Sequence, residues 1–349
     1  MRIGTREIGP AHPPYIIAEL GVNHDGSVDR ALQLVDAAAG AGADAVKLQL
    51  FTADLLMSRA ARLAAYQKAA GESDPVEMLR RLELSTDQMA PVVDRAHARG
   101  IHAIVTVFSV ELVGAAERLP WDAYKTASPD IIHRPLLESL TATGKPLIVS
   151  TGASTMEEVT QAVNWLRPAL DRLALLQCVS CYPTPADQAH IGAMNDLLHL
   201  TSTVGYSDHT REIETGEIAV RCGAVMLEKH FTHDRAADGP DHAASLEAKE
   251  FREYAQRARA RAADRRPSSI GDSSKVVLPI ERDVRAVSRQ SITTVRDLAA
   301  GHRLTRADLT FKRPGTGLAP FYLDEVLNRS LARPVEADLP LTDADLAPT

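Results

Sequence analysis

An α/β fold, a TIM (β/α)8 barrel followed by a small β-rich unit, is what this sequence predicts, and three observations predict it. Eight short apolar runs alternate with helix-like stretches over about 265 residues, the size and order of a barrel built from βα units. Several of those runs end on polar or ionisable residues, and in this fold the strand ends meet at one mouth. A stretch rich in Pro, Gly and Ser, Pro267 to Ser274, then precedes a different pattern of short alternating runs. The expected division is a barrel over 1–266, a linker over 267–283 and a small domain over 284–349. An open doubly wound sheet is the competing fold, but no Gly-rich phosphate fingerprint follows the first run.

In chain order, residues 15–20 form the first strand. Ser27 can cap a helix whose apolar positions Val28, Ala31, Leu32, Val35 and Ala38 share one face. Residues 45–50 are the second strand, followed by a long loop region over 52–84 and a helix over about 86–99. Strands three to five are expected over 101–107, 123–126 and 146–150. Ser154 with Glu157 makes a capping-box signature for the helix after them. Strands six to eight are expected over 173–178, 203–206 and 224–230, and the last helix runs from near Leu246 to about Arg266. Beyond about Val284, runs such as Ser291–Val295 with turn residues between them indicate a unit of roughly 65 residues, too small to be independently robust, which should dock on a barrel or a partner chain.

Composition narrows the function. The chain has 349 residues and a formal net charge of -7, with no basic patch interleaved with aromatics, which argues against nucleic acid as a partner. No signal-like N-terminus and no apolar run near the roughly 18 residues that span a bilayer are present, so a cytoplasmic location with no membrane association is expected. The three cysteines give no disulfide framework, and the CxxC spacing of Cys178 and Cys181, with no second pair, reads as structural.

The strand ends carry the chemistry. An ionised carboxylate is rarely buried without a partner, so Glu19, closing the run Ile16-Ile17-Ala18, is either paired for structure or placed for chemistry. Lys47, Lys125 and His230 end later strands in the same way, which favours chemistry. With Gln49, Thr106, Ser128, Ser180, Tyr182, Ser207 and His209, they would line a mouth with two cations, a carboxylate, two imidazoles and several hydroxyls. Phe311-Lys312-Arg313-Pro314-Gly315-Thr316-Gly317 in the small unit is, taken alone, a surface turn with solvated cations.

The segments AELGVNHDGS, VKLQ, AYKTAS, STGAS, CYPTP, GYSDHT, LEKHFTHD, GPDHAASLE and DLAAGHRLTRADLTFKRPGTG together resemble the sialic acid synthase family, in its order and spacing across essentially the whole chain. The resemblance implies a TIM barrel followed by an antifreeze-like (SAF) domain, assembled as a domain-swapped homodimer. It implies condensation of phosphoenolpyruvate with an N-acetylmannosamine-type aldose, with release of phosphate and a divalent metal, Mn2+ with Mg2+ or Co2+ as alternatives. Residue by residue, it implies phosphoenolpyruvate binding by Lys47, Thr106, Lys125, Ser128, Ser180 and Ser207, the anionic substrate calling for fixed cations and hydrogen-bond donors. Either lysine could instead be a snorkelling structural residue.

His209 and His230 match the metal ligands, and imidazole with open water positions suits manganese. Glu19 matches a carboxylate beside the reacting carbons, with proton handling as its role, and Asp130 falls where many relatives carry Glu, one methylene longer. Gln49, Tyr182 and Asp241 match the sugar side, and Arg313 matches an arginine supplied by the partner subunit's small domain. No Asn stands near Ala70-Gly71-Glu72-Ser73, where some relatives place one against substrate. The acceptor therefore stays open among an N-acetylmannosamine-type sugar, a 2,4-diacetamido sugar, a sugar 6-phosphate and a specialised-metabolite aldose. A non-catalytic carbohydrate-binding relative is the reading from another class.

Overall fold

The computed structural model describes residues 1–265 and 274–348. Eight parallel strands close into a barrel in chain order: β1 (Tyr15–Gly21), β2 (Ala45–Leu50), β3 (His102–Val107), β4 (Ala123–Thr126), β5 (Leu147–Ser150), β6 (Leu173–Gln177), β7 (Val204–Asp208) and β8 (Met226–His230), with β8 pairing back onto β1. Closure satisfies every strand edge. The first helix, Val28–Gly40, begins where expected, Ser27 accepting from the Arg30 amide at 3.3 Å.

Two apolar layers make the barrel core. Between strands and helices, residues such as Ile16, Leu48, Val105 and Val149 pack outward against the helical shell. Inside, Ile17, Ala45, Ile104, Ala123, Ile148, Ala174 and Met226 fill the lower half, and Ile3 and Ile8 of an N-terminal hairpin pack against them. Because side chains alternate along a strand, the next inward positions are Glu19, Lys47, Thr106 and Lys125. Register sets these in two rows: His230 is opposite Glu19 and Glu19 opposite Lys47, and two residues further along β2 Gln49 is opposite Thr106 and Thr106 opposite Lys125.

Four local expectations are corrected. The stretch 52–84 is no bare loop but carries three short helices, Ala53–Leu56, Ala65–Ala69 and Pro75–Leu82, the last capped by Asp74 with Pro75 at its start. The capping box of helix Met156–Trp165 is Thr155 with Glu158, one residue later than expected, because the Ser154 hydroxyl donates to the Gly152 carbonyl at 3.0 Å instead. Leu246 bridges to Phe231 rather than opening the last helix, which spans Ala248–Ala260. Val284 belongs to a helix, Arg282–Ser288, at the barrel mouth rather than to irregular structure.

Of the Pro/Gly/Ser stretch, residues 267–273 lie outside the described residues. After helix Arg282–Ser288, β9 (Ser291–Thr294) pairs antiparallel with β10 (Leu309–Lys312) over a small core that includes Ile292, Leu304, Phe311, Leu331 and Leu341. This unit docks on the mouth: the Arg313 amide donates to the Leu56 carbonyl at 2.8 Å, and the Ser58 hydroxyl donates to the Arg313 carbonyl at 2.7 Å. Phe311 meets His133 edge to face, and Phe321 meets Trp165. Among the described residues, no helix is long and apolar enough to cross a membrane.

Candidate active site

The barrel mouth holds one pocket in which three sectors differ in chemistry. On the β4–β6 side, hydroxyls converge. The Ser128 oxygen accepts from the Gly152 amide at 3.0 Å and lies 3.0 Å from the Cys178 sulfur, while the buried Ser180 hydroxyl has no hydrogen-bond partner. A Cβ on Gly152 would come within 2.3 Å of the Ser180 oxygen and 2.9 Å of the Ser128 oxygen, so only glycine leaves this cradle open. Lys125 donates to the Ser150 hydroxyl at 2.7 Å, at the rim of the same cradle. Glu281, ahead of helix Arg282–Ser288, accepts from the amides of Ala153 and Ser180 at 2.7 and 2.8 Å and so ties the cradle's backbone to the small unit's approach.

At the centre, two lysines and two carboxylates are buried together. Lys47 ion-pairs with Glu19, donates to Thr106 at 2.8 Å and lies 4.0 Å from Glu228, whose other oxygen is 3.4 Å from Lys125 and accepts from Ser207 at 2.9 Å. Burial alone would push the Glu228 carboxyl up, but Lys125 and Lys47 overcome it and hold it at about 2. Glu19 goes the other way: burial raises it, Lys47 opposes, and the Glu228 charge adds to the rise. Lys47, although desolvated, is held upward by Glu19 and Glu228, whereas burial lowers Lys125 against the pull of Glu228. One carboxylate is thus firmly ionised and its neighbour is poised to exchange a proton. Gln49 donates to Glu19 at 2.8 Å and fixes its orientation.

The β7–β8 side carries the imidazoles. His209 bonds the Val179 carbonyl through Nδ1 at 2.7 Å, which leaves Nε2 toward the pocket, 3.4 Å from the Ser207 hydroxyl. The two rings lie 5.7 Å apart, with Tyr182 at 4.2 Å from His209. Burial lowers His209 to about 4 and His230 well below its usual range, so both are neutral bases with a free lone pair. Buried His230 Nδ1 has no hydrogen-bond partner and sits 3.6 Å from Asp241. Among the described residues, no three His, Cys, Asp or Glu side chains converge as a complete cation site. Two neutral imidazoles with an orphaned nitrogen fit an ion that takes its other ligands from water or substrate.

Every residue read from the sequence as a ligand of phosphoenolpyruvate, sugar or metal lines this pocket, as does Glu19. Asp130 does not. It is fully buried behind the lining, held by Gln290 at 3.1 Å, and burial raises its carboxyl to about 7 against the influence of Arg313. Arg313 enters the pocket from the same chain, its guanidinium 5.5 Å from the Phe108 ring centre, where the resemblance places a partner's arginine. Glu228, Ser150 and Gly152 were not singled out in the sequence. Glu228 could have been, since it lies two residues before His230 and shares its inward face. Tyr66 and Gln67, on the excursion after β2, had no such signal. The CxxC cysteines are free thiols, Cys178 buried under the cradle.

Comparison with known proteins agrees with a barrel followed by a small β domain. Residues 34–265 match the NeuB family and residues 289–347 the SAF domain. N,N'-diacetyllegionaminic acid synthase of Legionella pneumophila is 36% identical over 96% of this chain and 95% of its own length. N-acetylneuraminate-9-phosphate synthase of Mus musculus is 31% identical, over 88% of this chain and 85% of its own. The crystal structure of spore coat polysaccharide biosynthesis protein SpsE from Bacillus subtilis superposes with a TM-score of 0.86 at 28% identity, covering 100% of this chain and 99% of that one. The chain belongs to the NeuB family, the sialic acid synthase family that its motifs resemble, and ends in an SAF domain.

Proposed function

We propose that this protein condenses phosphoenolpyruvate with an open-chain N-acylated aldose to give a nonulosonic acid and phosphate. The observation that carries the reading is the buried meeting of Lys47, Lys125, Glu19 and Glu228 beside an open hydroxyl cradle and two neutral imidazoles. Phosphoenolpyruvate presents a phosphate to Lys125, Ser128, Ser180 and Ser207 and a carboxylate to Lys47 and Thr106. Its methylene carbon bonds to the aldehyde carbon, and the aldehyde oxygen takes a proton. Water then adds at the former enol carbon, the bond from that carbon to the phosphate oxygen breaks, and phosphate leaves with the bonding pair. Glu19, ionised only against the opposition of burial and Glu228, receives and returns the protons. A divalent cation such as manganese, held by His209 and His230, would polarise the aldehyde. Gln49, Tyr182, Asp241 and Arg313 hold the sugar, and Arg313 with the small unit closes the mouth against water. Asp130, behind the lining and bound by Gln290, acts through its charge on Arg313 rather than by touching the reacting carbons.

The relatives, synthases named for legionaminic acid, N-acetylneuraminate 9-phosphate and pseudaminic acid, support a family reaction with differing acceptors. The homodimer is part of the same proposal, and a solution mass of about twice 37.7 kDa checks it. The reaction itself is tested by phosphate release with manganese across N-acetylmannosamine, its 6-phosphate, a 2,4-diacetamido-trideoxy-mannose and no sugar. Acceptor-dependent release abolished by chelator supports it. Absence of phosphoenolpyruvate binding, with no release from any mixture, overturns it in favour of a non-catalytic carbohydrate binder.

A further inference from the structure

The CxxC spacing of Cys178 and Cys181 reads as structural in the sequence, and the fold gives the two thiols different surroundings. Cys181 is half-buried, its sulfur 3.5 Å from the Pro183 carbonyl. Cys178, the first residue past β6, is 1% exposed and lies beneath the hydroxyl cradle without lining the pocket. Its sulfur, the Ser128 oxygen and the Ser180 oxygen converge on the side of Gly152 where a side chain would stand. Among the described residues the thiol has a single hydrogen-bond partner, the Ser128 oxygen at 3.0 Å.

Counting protons gives that bond a direction. A hydroxyl has one proton to donate and two lone pairs. The Gly152 amide takes one lone pair of Ser128 at 3.0 Å. If Ser128 gave its proton to the sulfur, a weak acceptor, the buried thiol proton would have no acceptor and Ser128 would have nothing to donate to the pocket it lines. If the thiol gives its proton instead, both lone pairs of Ser128 are occupied and its own proton turns to the pocket. The Ser180 hydroxyl, 1% exposed and without a partner, needs an acceptor at the same place. Two buried donors aimed at one point fit a phosphate oxygen. Burial keeps the thiol protonated by raising it above its usual range, against the pull of Ser128, Lys275 and Lys125.

We propose that Cys178 is a positioning residue, its thiol donating to the Ser128 oxygen and so directing the Ser128 proton to the phosphate of phosphoenolpyruvate. The anion named here rests on the condensation proposed above. Cys178 acts on affinity for phosphoenolpyruvate and leaves the chemical steps to the groups that line the pocket.

The experiment measures the phosphoenolpyruvate Kd by calorimetry on the full chain without acceptor, and kcat with a sugar that supports turnover. Cys178→Ala should weaken phosphoenolpyruvate roughly three- to tenfold, the worth of one ordinary hydrogen bond, with kcat at saturation changed by less than about twofold. Cys178→Ser, which keeps a donor, should recover most of that affinity, and Cys181→Ala should leave it unchanged. In a Ser128→Ala background, with no hydroxyl to direct, Cys178→Ala should have no further effect. Cys178→Val refills the space without a donor and repeats the test where Cys178→Ala fails to fold, and a melting curve on each variant reports folding. An equal loss with and without Ser128, no recovery in Cys178→Ser, or an unchanged Kd in Cys178→Ala overturns the inference while leaving the condensation standing. A parent protein that binds no phosphoenolpyruvate removes the condensation and this inference together.

Discussion

Two carboxylates that share Lys47 differ in their proton affinity, and the difference comes from their neighbours. Glu228 touches both cations and Ser207, whereas Glu19 has Lys47 and Gln49 alone and feels the Glu228 charge. Glu19→Gln should therefore lower kcat by about 10²-fold or more with little change in phosphoenolpyruvate affinity, measured by phosphate release and calorimetry. Glu228→Gln leaves buried Lys125 without a carboxylate partner, and urea titration should show a loss of about 3–5 kcal/mol, part of which added phosphoenolpyruvate restores. Asp130 gives a pH signature. Burial raises it to about 7, above the roughly 3.9 of an unfolded Asp. Between those values the folded chain keeps a proton that the unfolded chain has lost, so its contribution to stability is fully present below about pH 4 and disappears as pH rises through about 7. Asp130→Asn should remove that downward slope. Parallel urea curves for parent and variant from pH 4 to 7 would refute the shift.

At the scale of elements, helix Met156–Trp165 shows how a loop shape moves a cap. The Ser154 side chain turns back to Gly152 beside the cradle, and Ala153 takes a φ of 50°, so Thr155 becomes the first residue free to cap. Its box partner Glu158 also binds Arg285 and Arg289, which come from the segment approaching the small unit, and they hold its carboxyl at about 2 although burial works against them. Thr155→Ala should cost about 1 kcal/mol by denaturant unfolding, and Glu157→Ala, outside the box, should stay within about 0.5 kcal/mol. One short helix thus joins the hydroxyl cradle to the cap over the mouth. The excursion after β2 plays the matching part on the β1–β3 side, its short helices too brief to be stable alone and set in place by Phe51, Phe108 and Leu82.

For the molecule as a whole, the small domain is a part of the site. Gln290 reaches Asp130, Arg313 enters the pocket over Phe108, and Glu281, just ahead of the unit, holds the Ser180 amide, so the cap and its approach touch both the β1–β3 side and the hydroxyl cradle. Arg313→Ala should raise the acceptor KM by roughly 10- to 100-fold, the worth of a hydrogen bond to a charged group, with phosphoenolpyruvate affinity nearly constant. Arg313→Lys should recover little of it, because a single ammonium lacks the planar fork. A variant whose phosphoenolpyruvate affinity fell in step with its acceptor KM would instead place Arg313 on the phosphate side.

The sequence by itself determined the barrel, its mouth and most of the lining, because those rest on local rules: apolar runs of strand length, side-chain alternation that turns Lys47 and Gln49 inward together, and strand ends that share one face of the fold. Only the tertiary structure decided the electrostatic state of that lining. Closure of the barrel set Glu228 between two lysines from β2 and β4, and packing put Asp130 behind the lining under Gln290, 160 residues away. An apolar cluster likewise forms only where the excursion folds back over Val22, Phe51 and Phe108. Burial and charge pairing depend on distances between segments far apart in the chain, and no local pattern of residues encodes them.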